Sequence, residues 1–287
     1  MKIINKKRHL IKKIVKAVFV LFVLWIILDN ILIHTTVTNV TIKDLPKSFD
    51  EYRIVQVSDL HNNVYGFDQS YLLSKIRDAK PDIIVVTGDL IDRNTANVDN
   101  AMLFINGAVE IAPVFYVTGN HEASVGKPYV DLVLRLHEAG VTILDNDAVS
   151  LISEEDVITL AGVRDPAFDW SMTSEDRVDA EIKQALEKVS GKQVTILLSH
   201  RPELIKTYSS NEIDLVLTGH AHGGQVRLPF VGPIYSPSQG LFPKFTSGLY
   251  EDGGTKMYVS RGIGNGIAPL RFNDGPELPV IVLVSER

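Results

Sequence analysis

The chain has 287 residues, of which 45% are hydrophobic, so it can bury a full core in one or two domains. It contains no cysteine, and residues 34–287 hold 22 basic and 34 acidic residues, a net charge of −12. Nucleic-acid binding normally needs a basic face, so we expect no nucleic-acid partner.

The first predicted element is a membrane-spanning helix. Seven Lys and Arg residues precede an apolar run from Ala17 to Leu28, which Ile31 to Ile33 extend. The stretch from residue 14 to residue 33 has about the 20 residues needed to cross a hydrocarbon core of roughly 30 Å. We therefore predict a basic cytoplasmic segment at residues 1–13 and a transmembrane anchor at residues 14–33.

A cleaved signal peptide and an interfacial helix are the alternatives to this anchor. A cleavable peptide needs small residues after its apolar region, whereas Ile31 to His34 offer bulky side chains. Because the cations precede the apolar run, the positive-inside rule places the N-terminus in the cytoplasm. We expect a single-pass protein of the cell membrane with its catalytic domain outside the cytoplasm.

Residues 34–48 are predicted to be a spacer or an edge strand, and residues 49–287 the catalytic domain. Strands and helices then alternate, which predicts an α/β fold with helices packed on sheets. The predicted strands are Arg53–Val57, Ile83–Thr87, Val114–Thr118, Val141–Leu144, Val149–Ile152, Val157–Val163, Val194–Leu198, Leu215–Leu217, Lys256–Ser260 and Pro279–Val284. The predicted helices are Gln69–Asp78, Asn97–Val109, Pro128–Ala139 and Thr173–Val189.

Polar phrases follow five of these strands at the point where each strand ends. They contribute Asp59 and His61, then Asp89, then Asn120 and His121, then His200, and finally His220 and His222. The carboxyl ends of strands in an open α/β sheet meet in one crevice, so we expect these side chains to converge. Arg201, Arg164 and Arg261 could assist phosphate binding there, or form ordinary salt bridges. His9, His34 and His137 stand in no such phrase and are interpreted as surface residues.

The donor set predicts two metal ions. Imidazoles, carboxylates and one carboxamide without thiolate suit divalent manganese, iron or zinc. Seven donors exceed what one zinc ion usually takes, but two ions sharing the carboxylate of Asp89 would use them all. The other six are Asp59, His61, Asn120, His200, His220 and His222. His121 is one donor too many, and we assign it to acid–base work on the leaving group.

These phrases, in this order, resemble the calcineurin-like metallophosphoesterase superfamily from about Tyr52 to the C-terminus. The resemblance implies a four-layer α/β/β/α sandwich of two mixed sheets. It also implies that Asp59, His61 and His222 bind one metal, that Asn120, His200 and His220 bind the second, and that Asp89 bridges. The phrase Gly219 to Gln225 and the tail from Ser260 to Glu277 are similar to the membrane-associated bacterial branch, which includes phosphodiesterase-like proteins and a UDP-2,3-diacylglucosamine pyrophosphatase.

The sequence therefore predicts a membrane-anchored, dinuclear-metal phosphoesterase that hydrolyses a phosphodiester or pyrophosphate bond. A pyrophosphatase of the UDP-2,3-diacylglucosamine type and a non-catalytic, metal-dependent binder of a phosphorylated envelope component are the alternatives. The substrate is expected to be a phosphorylated small molecule or a lipid-linked compound. A stretch rich in Gly, Pro and aromatic residues between His222 and Lys256 is either a wall or lid of the site or a loop packed over the core.

Overall fold

The computed structural model describes residues 2–189, 191, 193–266 and 270–286. The helices are α1 (Lys2–Ile31), α2 (Ser70–Ala79), α3 (Val98–Ala108), α4 (Lys127–Glu138), α5 (Ser174–Leu186) and α6 (Ile205–Ser210). The strands are β1 (His34–Ile42), β2 (Arg53–Val57), β3 (Ile83–Thr87), β4 (Val114–Val117), β5 (Thr142–Ile143), β6 (Asp147–Ser153), β7 (Asp156–Gly162), β8 (Thr195–Leu198), β9 (Leu215–Thr218), β10 (Arg227–Leu228), β11 (Gly232–Pro233), β12 (Tyr235–Ser236), β13 (Gly240–Leu241), β14 (Gly248–Asp252), β15 (Thr255–Val259) and β16 (Glu277–Ser285).

Two six-stranded mixed sheets form the centre of the molecule. The first has the order β1-β16-β2-β3-β4-β5, and the second has the order β14-β15-β9-β8-β7-β6. Strands β2 to β5 are parallel to one another, as are β7, β8, β9 and β15. The strands that carry the polar phrases therefore run in a common direction within each sheet, and their carboxyl ends share one edge.

Alternation along the strands produces four layers. In β2, Val55 and Val57 pack against the helices α2 to α4, whereas Ile54 faces the second sheet. In β8, Ile196 faces the first sheet and Leu197 packs under α5 and α6. Side chains of a strand point alternately to opposite faces, so both sheets are buried on both sides. The predicted α/β/β/α sandwich of two mixed sheets is confirmed.

The segment predicted as a spacer or an edge strand forms a strand over His34–Ile42. Strand β1 pairs with β16 in parallel, with His34 opposite Glu277 and Ile42 opposite Ser285. Only Leu32 and Ile33 separate α1 from this strand. The N-terminal helix therefore runs almost directly into the first sheet.

Helix α1 fits the predicted anchor. Over the described residues, Arg8–Ile31 is the one helix long and apolar enough to cross a membrane, with a mean hydropathy of 2.3. Its apolar side chains from Leu10 to Ile31 are largely exposed, whereas a core helix of a soluble domain would bury them. The division at residues 13 and 14 and the start of the catalytic domain at residue 49 stay predictions.

The stretch after His222 contains short strands and is not a plain loop, and whether it acts as a lid stays a prediction. It forms two short antiparallel hairpins, β10–β11 and β12–β13, followed by β14 at the edge of the second sheet. Part of it is buried, as at Ser236 and Thr246, while Phe230 is fully exposed. Residues 267–269 of the tail that resembles the membrane-associated branch lie outside the described residues.

Candidate metal centre

All eight predicted site residues lie together at the carboxyl-end edge of the two sheets, and all eight are buried or nearly so. Five of them have a left-handed backbone, with φ between 47° and 65°, which costs a non-glycine residue on the order of 1–3 kcal/mol. These five are Asp59, His61, Asp89, His220 and His222. Strain of this kind persists where the surrounding structure fixes a functional geometry, which marks this edge as the working part of the molecule.

Two glycines permit the loops to approach this closely. A side chain at position 219 would collide with Ser58 and Asp59, and one at position 119 would collide with Asp89. The glycines that precede Asn120 and His220 are therefore required by the distance between neighbouring loops. This gives a physical reason for the Gly-Asn and Gly-His pairs in the sequence.

The first cluster consists of Asp59, His61 and His222. The Nε2 atom of His222 lies 3.4 Å from Oδ1 of Asp59 and 3.3 Å from Nε2 of His61. Burial lowers the pKa of His61 to about 4, although the charge of Asp89 opposes this shift. Burial also holds the pKa of His222 well below its usual range, and the positive charges of His61 and Arg271 add to that shift. Two neutral imidazoles thus aim nitrogen atoms at one point beside a carboxylate.

The second cluster consists of Asp89, His200 and His220. The Nε2 atom of His200 lies 3.2 Å from Oδ2 of Asp89 and 3.2 Å from Nδ1 of His220. Nδ1 of His200 lies 2.7 Å from the carbonyl oxygen of Thr87, to which it donates its proton. That bond fixes the ring so that Nε2 is directed into the cluster, an arrangement typical of histidines that bind metal.

Asp89 joins the two clusters. Its Oδ2 atom lies 3.2 Å from His200 and 3.7 Å from Nε2 of His61. Burial opposes the charged form of this carboxylate, but His200 outweighs it and holds the pKa of Asp89 well below its usual range. Reciprocally, burial opposes the imidazolium of His200, and Asp89 raises its pKa to about 10.

These residues fit two divalent cations. Oδ1 of Asn120 is buried and has no hydrogen-bond partner among the described residues, a costly state for an amide oxygen. The Nε2 atoms of His61 and His222 face each other at 3.3 Å, a spacing at which one cation can bind both lone pairs. Each cluster brings its nitrogen and oxygen ligand atoms within 4.8 Å of one another. The His and Asp clusters are therefore suited to a dinuclear metal site.

His121 lies beside the two clusters. Its Nδ1 atom accepts a hydrogen bond of 3.0 Å from the backbone N–H of Arg93, so its proton resides on Nε2, which is 3.9 Å from Oδ2 of Asp89. Burial lowers the pKa of His121. Asp92, which our reading of the sequence missed, places Oδ2 only 3.3 Å from the same Nδ1 atom. Asp92 follows Asp89 by three residues in the same loop, and that spacing was its only signal.

Glu122 was also missed, although it stands next to His121. Its buried carboxylate accepts hydrogen bonds from the backbone N–H groups of Asp89 (3.0 Å), Ile91 (3.1 Å) and Gly119 (2.8 Å). Burial, with Asp89, raises the pKa of Glu122 to about 8, whereas the backbone donors favour its charged form. Glu122 thereby ties the loop after β3 to the loop after β4, and so fixes Asp89 relative to Asn120.

Arg201 contacts His220 of the second cluster and is held in place by two other side chains. It forms a bidentate salt bridge with the buried Asp165, with N–O distances of 2.6 and 2.9 Å. Its Nη1 atom donates to Oγ of Ser238 at 2.8 Å, and that hydroxyl lies 3.0 Å from Nε2 of His220. Nη1 of Arg201 also lies 3.0 Å from the same Nε2 atom, so the guanidinium and the hydroxyl of Ser238 together fix the orientation of the His220 ring, whose Nδ1 faces His200. Asp165 and Ser238 were not anticipated from the sequence.

Replacing Asp165 with asparagine is expected to destabilise the protein by up to about 3–5 kcal/mol, since the buried Arg201 would lose its bidentate partner and keep only Glu203, 3.7 Å from Nη1, as a counter-charge. Asp99→Asn provides the control, because the pair that Asp99 forms with Arg135 is solvent-exposed and contributes about 0–1 kcal/mol. Denaturant unfolding of the two variants measures the difference. Equal stability would contradict the structural role of this salt bridge.

The other arginines and histidines named in the sequence analysis lie outside the two clusters. Arg164 stacks on Phe168, with 5.3 Å from its guanidinium to the ring centroid, and Arg261 lies 3.5 Å from Glu277. Arg261 therefore makes the salt bridge that the structural interpretation expects, whereas Arg164 makes a cation–π contact instead. His9, His34 and His137 are exposed, as predicted. Arg271, not predicted to bind, is fully buried and places Nη2 3.3 Å from Nδ1 of His222.

Comparison with known proteins gives one consistent result. The model of the calcineurin-like phosphoesterase family matches residues 52–224. The uncharacterized metallophosphoesterase YkuE of Bacillus subtilis is 32% identical over 90% of this chain and 88% of its own length. Phosphodiesterase YaeI of Escherichia coli is 29% identical over 81% of this chain and 82% of its own. A transmembrane protein with metallophosphoesterase domain from Bos taurus is 29% identical over 86% of this chain and 56% of its own.

Proposed function

The chain belongs to the calcineurin-like phosphoesterase family and is a hydrolase, and we propose that it is a membrane-anchored phosphodiesterase with a dinuclear metal centre. In this proposal Asp59, His61 and His222 hold one ion, and Asn120, His200 and His220 hold the other. Asp89 bridges the two, and His121 serves the leaving group. The observation that carries the assignment is the position of Asp89 Oδ2 between His61 and His200, at 3.7 and 3.2 Å.

The bound ions would supply a nucleophilic water near neutral pH and charge stabilisation for the phosphoryl oxygens. The residues of the chain do the rest. Thr87 and Ser238 fix the ring orientation of His200 and His220, and Glu122 fixes the loop of Asp89. His121 presents its Nε2–H towards Asp89 and the cluster, within reach of an oxygen atom bound there. To act as an acid, His121 would first be protonated to the imidazolium, whose Nδ1–H would face Oδ2 of Asp92 at 3.3 Å instead of accepting from the N–H of Arg93. It would then donate the Nε2 proton to the leaving group and return to the neutral ring.

A phosphodiester is the substrate class that we favour. YaeI, which is similar over most of its length, is named a phosphodiesterase. The net charge of −12 on residues 34–287 would repel a nucleic-acid polyanion, so a smaller diester is the better fit. Pyrophosphate hydrolysis of the UDP-2,3-diacylglucosamine type is the second candidate, favoured by exposed apolar side chains such as Phe230 and Leu241 after the last histidine.

We expect the full-length protein in detergent to hydrolyse bis(p-nitrophenyl) phosphate after manganese, iron or zinc is added, and to lose this activity with a chelator. The ligands are exchangeable nitrogen and oxygen donors, so removal of the metal should be reversible. Assays of p-nitrophenyl phosphate and a UDP-sugar on the same sample separate diesterase from monoesterase and pyrophosphatase activity. Turnover that persists in chelator would overturn the metal assignment.

The membrane part of the proposal concerns topology. Helix α1 has the length and polarity of a single span, and the cations before it favour a cytoplasmic N-terminus. The catalytic domain would then face the outside of the cytoplasmic membrane, close to phosphorylated envelope molecules. Protease added to intact spheroplasts should digest the domain, and complete protection would refute this orientation.

A further inference from the structure

The topology of the first sheet relates the N-terminal helix to the metal centre. Strand β16 is antiparallel to β2 and parallel to β1, with Val280 opposite Val55 and Glu277 opposite His34. The start of β1 therefore lies at the edge of the sheet where β2 ends. Ser58 and Asp59 follow directly after the last residue of β2, Val57. Helix α1 thus leaves the domain at the catalytic edge and not at the opposite one.

The joint between α1 and the domain is braced by hydrogen bonds. The side chain of Asn30 accepts from the backbone N–H of Arg271 (2.8 Å) and donates to its carbonyl oxygen (2.9 Å). Oδ2 of Asp29 accepts from the N–H of Asp274 at 3.3 Å. With these bonds and a two-residue connection to β1, the helix has a fixed direction relative to the catalytic edge. It is not a flexible tether.

Phe272 locates part of the domain along the helix. The centroid of its ring lies 5.4 Å from the ring centroid of Trp25 and 6.2 Å from that of Phe22. Phe22 precedes the helix end at Ile31 by nine residues, or about 13 Å at roughly 1.5 Å per residue. Phe22 and Trp25 both belong to the apolar run of α1. If α1 spans the bilayer, Phe272 therefore lies at the depth of the hydrocarbon.

The hairpin β10–β11 is bonded to the backbone of Phe272. The N–H of Arg227 donates to the carbonyl oxygen of Phe272 at 3.0 Å, and the N–H of Phe272 donates to that of Gln225 at 3.1 Å. The hairpin begins at Arg227, five residues after His222, and carries Phe230 at its turn. Its apolar side chains are open to solvent, and Leu270 on the neighbouring segment is exposed as well. The exposed fractions are 41% for Leu228, 110% for Phe230, 55% for Val231 and 58% for Leu270.

We infer that Leu228, Phe230 and Val231, together with Leu270 and Phe272, form a surface that enters the lipid bilayer beside α1, so that the catalytic edge faces the membrane. This surface would contact the boundary between lipid headgroups and acyl chains. It continues the apolar side of α1, and its exposed side chains are aromatic and aliphatic. The inference rests on the membrane anchoring proposed above. If this inference holds, the metal centre reaches the phosphate of a lipid-linked substrate at the level of the headgroups, and the substrate stays in the bilayer.

The two native tryptophans, Trp25 and Trp170, make a direct test practicable. Full-length variants with one tryptophan each are reconstituted into phosphatidylcholine vesicles, with or without bromine atoms on the acyl chains, which quench indole fluorescence on contact. Trp170→Phe alone leaves Trp25 as the reference inside α1. In the background Trp25→Phe and Trp170→Phe, Phe230→Trp reports on the hairpin. Ile152→Trp is the control, since Ile152 is 72% exposed on β6, beside the turn at the opposite edge.

Brominated lipid should quench Phe230→Trp about as strongly as Trp25 and leave Ile152→Trp as bright as in unbrominated vesicles. An unquenched Phe230→Trp beside a quenched Trp25 would overturn the proposed surface, as would equal quenching at positions 230 and 152. An unquenched Trp25 would refute both the anchor and the surface. Metal-dependent hydrolysis of bis(p-nitrophenyl) phosphate, measured on the same samples, tests the catalytic proposal separately, because Phe230 belongs to no part of the metal centre.

Discussion

Replacing Asp89 with asparagine is expected to lower metal occupancy at both positions and to abolish hydrolysis. Oδ2 of Asp89 lies between the two histidine clusters, so one substitution removes the negative charge that both ions would share. Asparagine keeps the size of the side chain and can still accept the hydrogen bond from the N–H of His121 at 2.8 Å. The fold should therefore survive while the loss of turnover reaches or exceeds the roughly 10²–10⁴-fold typical of an acid–base residue.

Elemental analysis after dialysis against trace metal tests this expectation. Wild-type protein should retain two equivalents, and Asp89→Asn should retain less than one. Asp78→Asn, on the exposed face of α2, is the matched control and should bind and hydrolyse normally. Retention of one full equivalent by Asp89→Asn would mean that the carboxylate serves a single ion and does not bridge.

Replacing His121 with alanine is expected to reduce turnover by on the order of 10²–10⁴ while both metals stay bound. The two clusters do not include this imidazole, which lies instead in a third group with His61 and Asp92, also within 4.8 Å of one another. Its Nδ1 atom, which faces Asp92, is already bonded to the N–H of Arg93, so we expect no ion to depend on it. What the substitution removes is the Nε2–H group directed at the site. The Michaelis constant should change little, since the phosphate would be held by the ions.

Metal content and kinetics measured on one preparation distinguish the two roles of His121. His137→Ala is a suitable control, because His137 lies exposed at the end of α4 and contacts neither cluster. If His121→Ala lost one metal equivalent, the residue would be a ligand and the leaving group would have to be protonated by another group. Asp92, 3.6 Å from Nδ1 of His61 and 3.3 Å from Nδ1 of His121, would then also need a new role.

Much of the fold was predictable from local pattern. Strands β2 and β3 have the predicted bounds. A short run of apolar, β-branched residues indicates a strand that is buried on both faces of its sheet, so its ends can be seen in the sequence. The polar phrases after these strands were equally visible, since the edge to which a strand delivers its next residues is fixed by topology alone. The exposure of His9, His34 and His137 also followed from sequence context.

The short hairpins after His222 were not predictable, because strands of two residues have no measurable periodicity. Helix α6, with six residues, escaped for the same reason. The Thr-rich segment before residue 48 was predicted to be a spacer or an edge strand, and the sequence alone did not distinguish them. The segment forms a strand because it pairs with β16, which is more than 230 residues away in sequence.

The chain by itself determined which side chains could bind metal, because ligand chemistry belongs to residue type and the order of strands brings their ends together. Only the tertiary structure decided what supports them. Asp165, Ser238 and Arg271 reach Arg201, His220 and His222 from positions 18 to 49 residues distant, and a single acid, hydroxyl or guanidinium has no pattern to reveal its partner. The tertiary structure also decided the direction of α1. An apolar run predicts a helix long enough to span a membrane, but it does not show at which edge of the sheet Asn30 holds that helix.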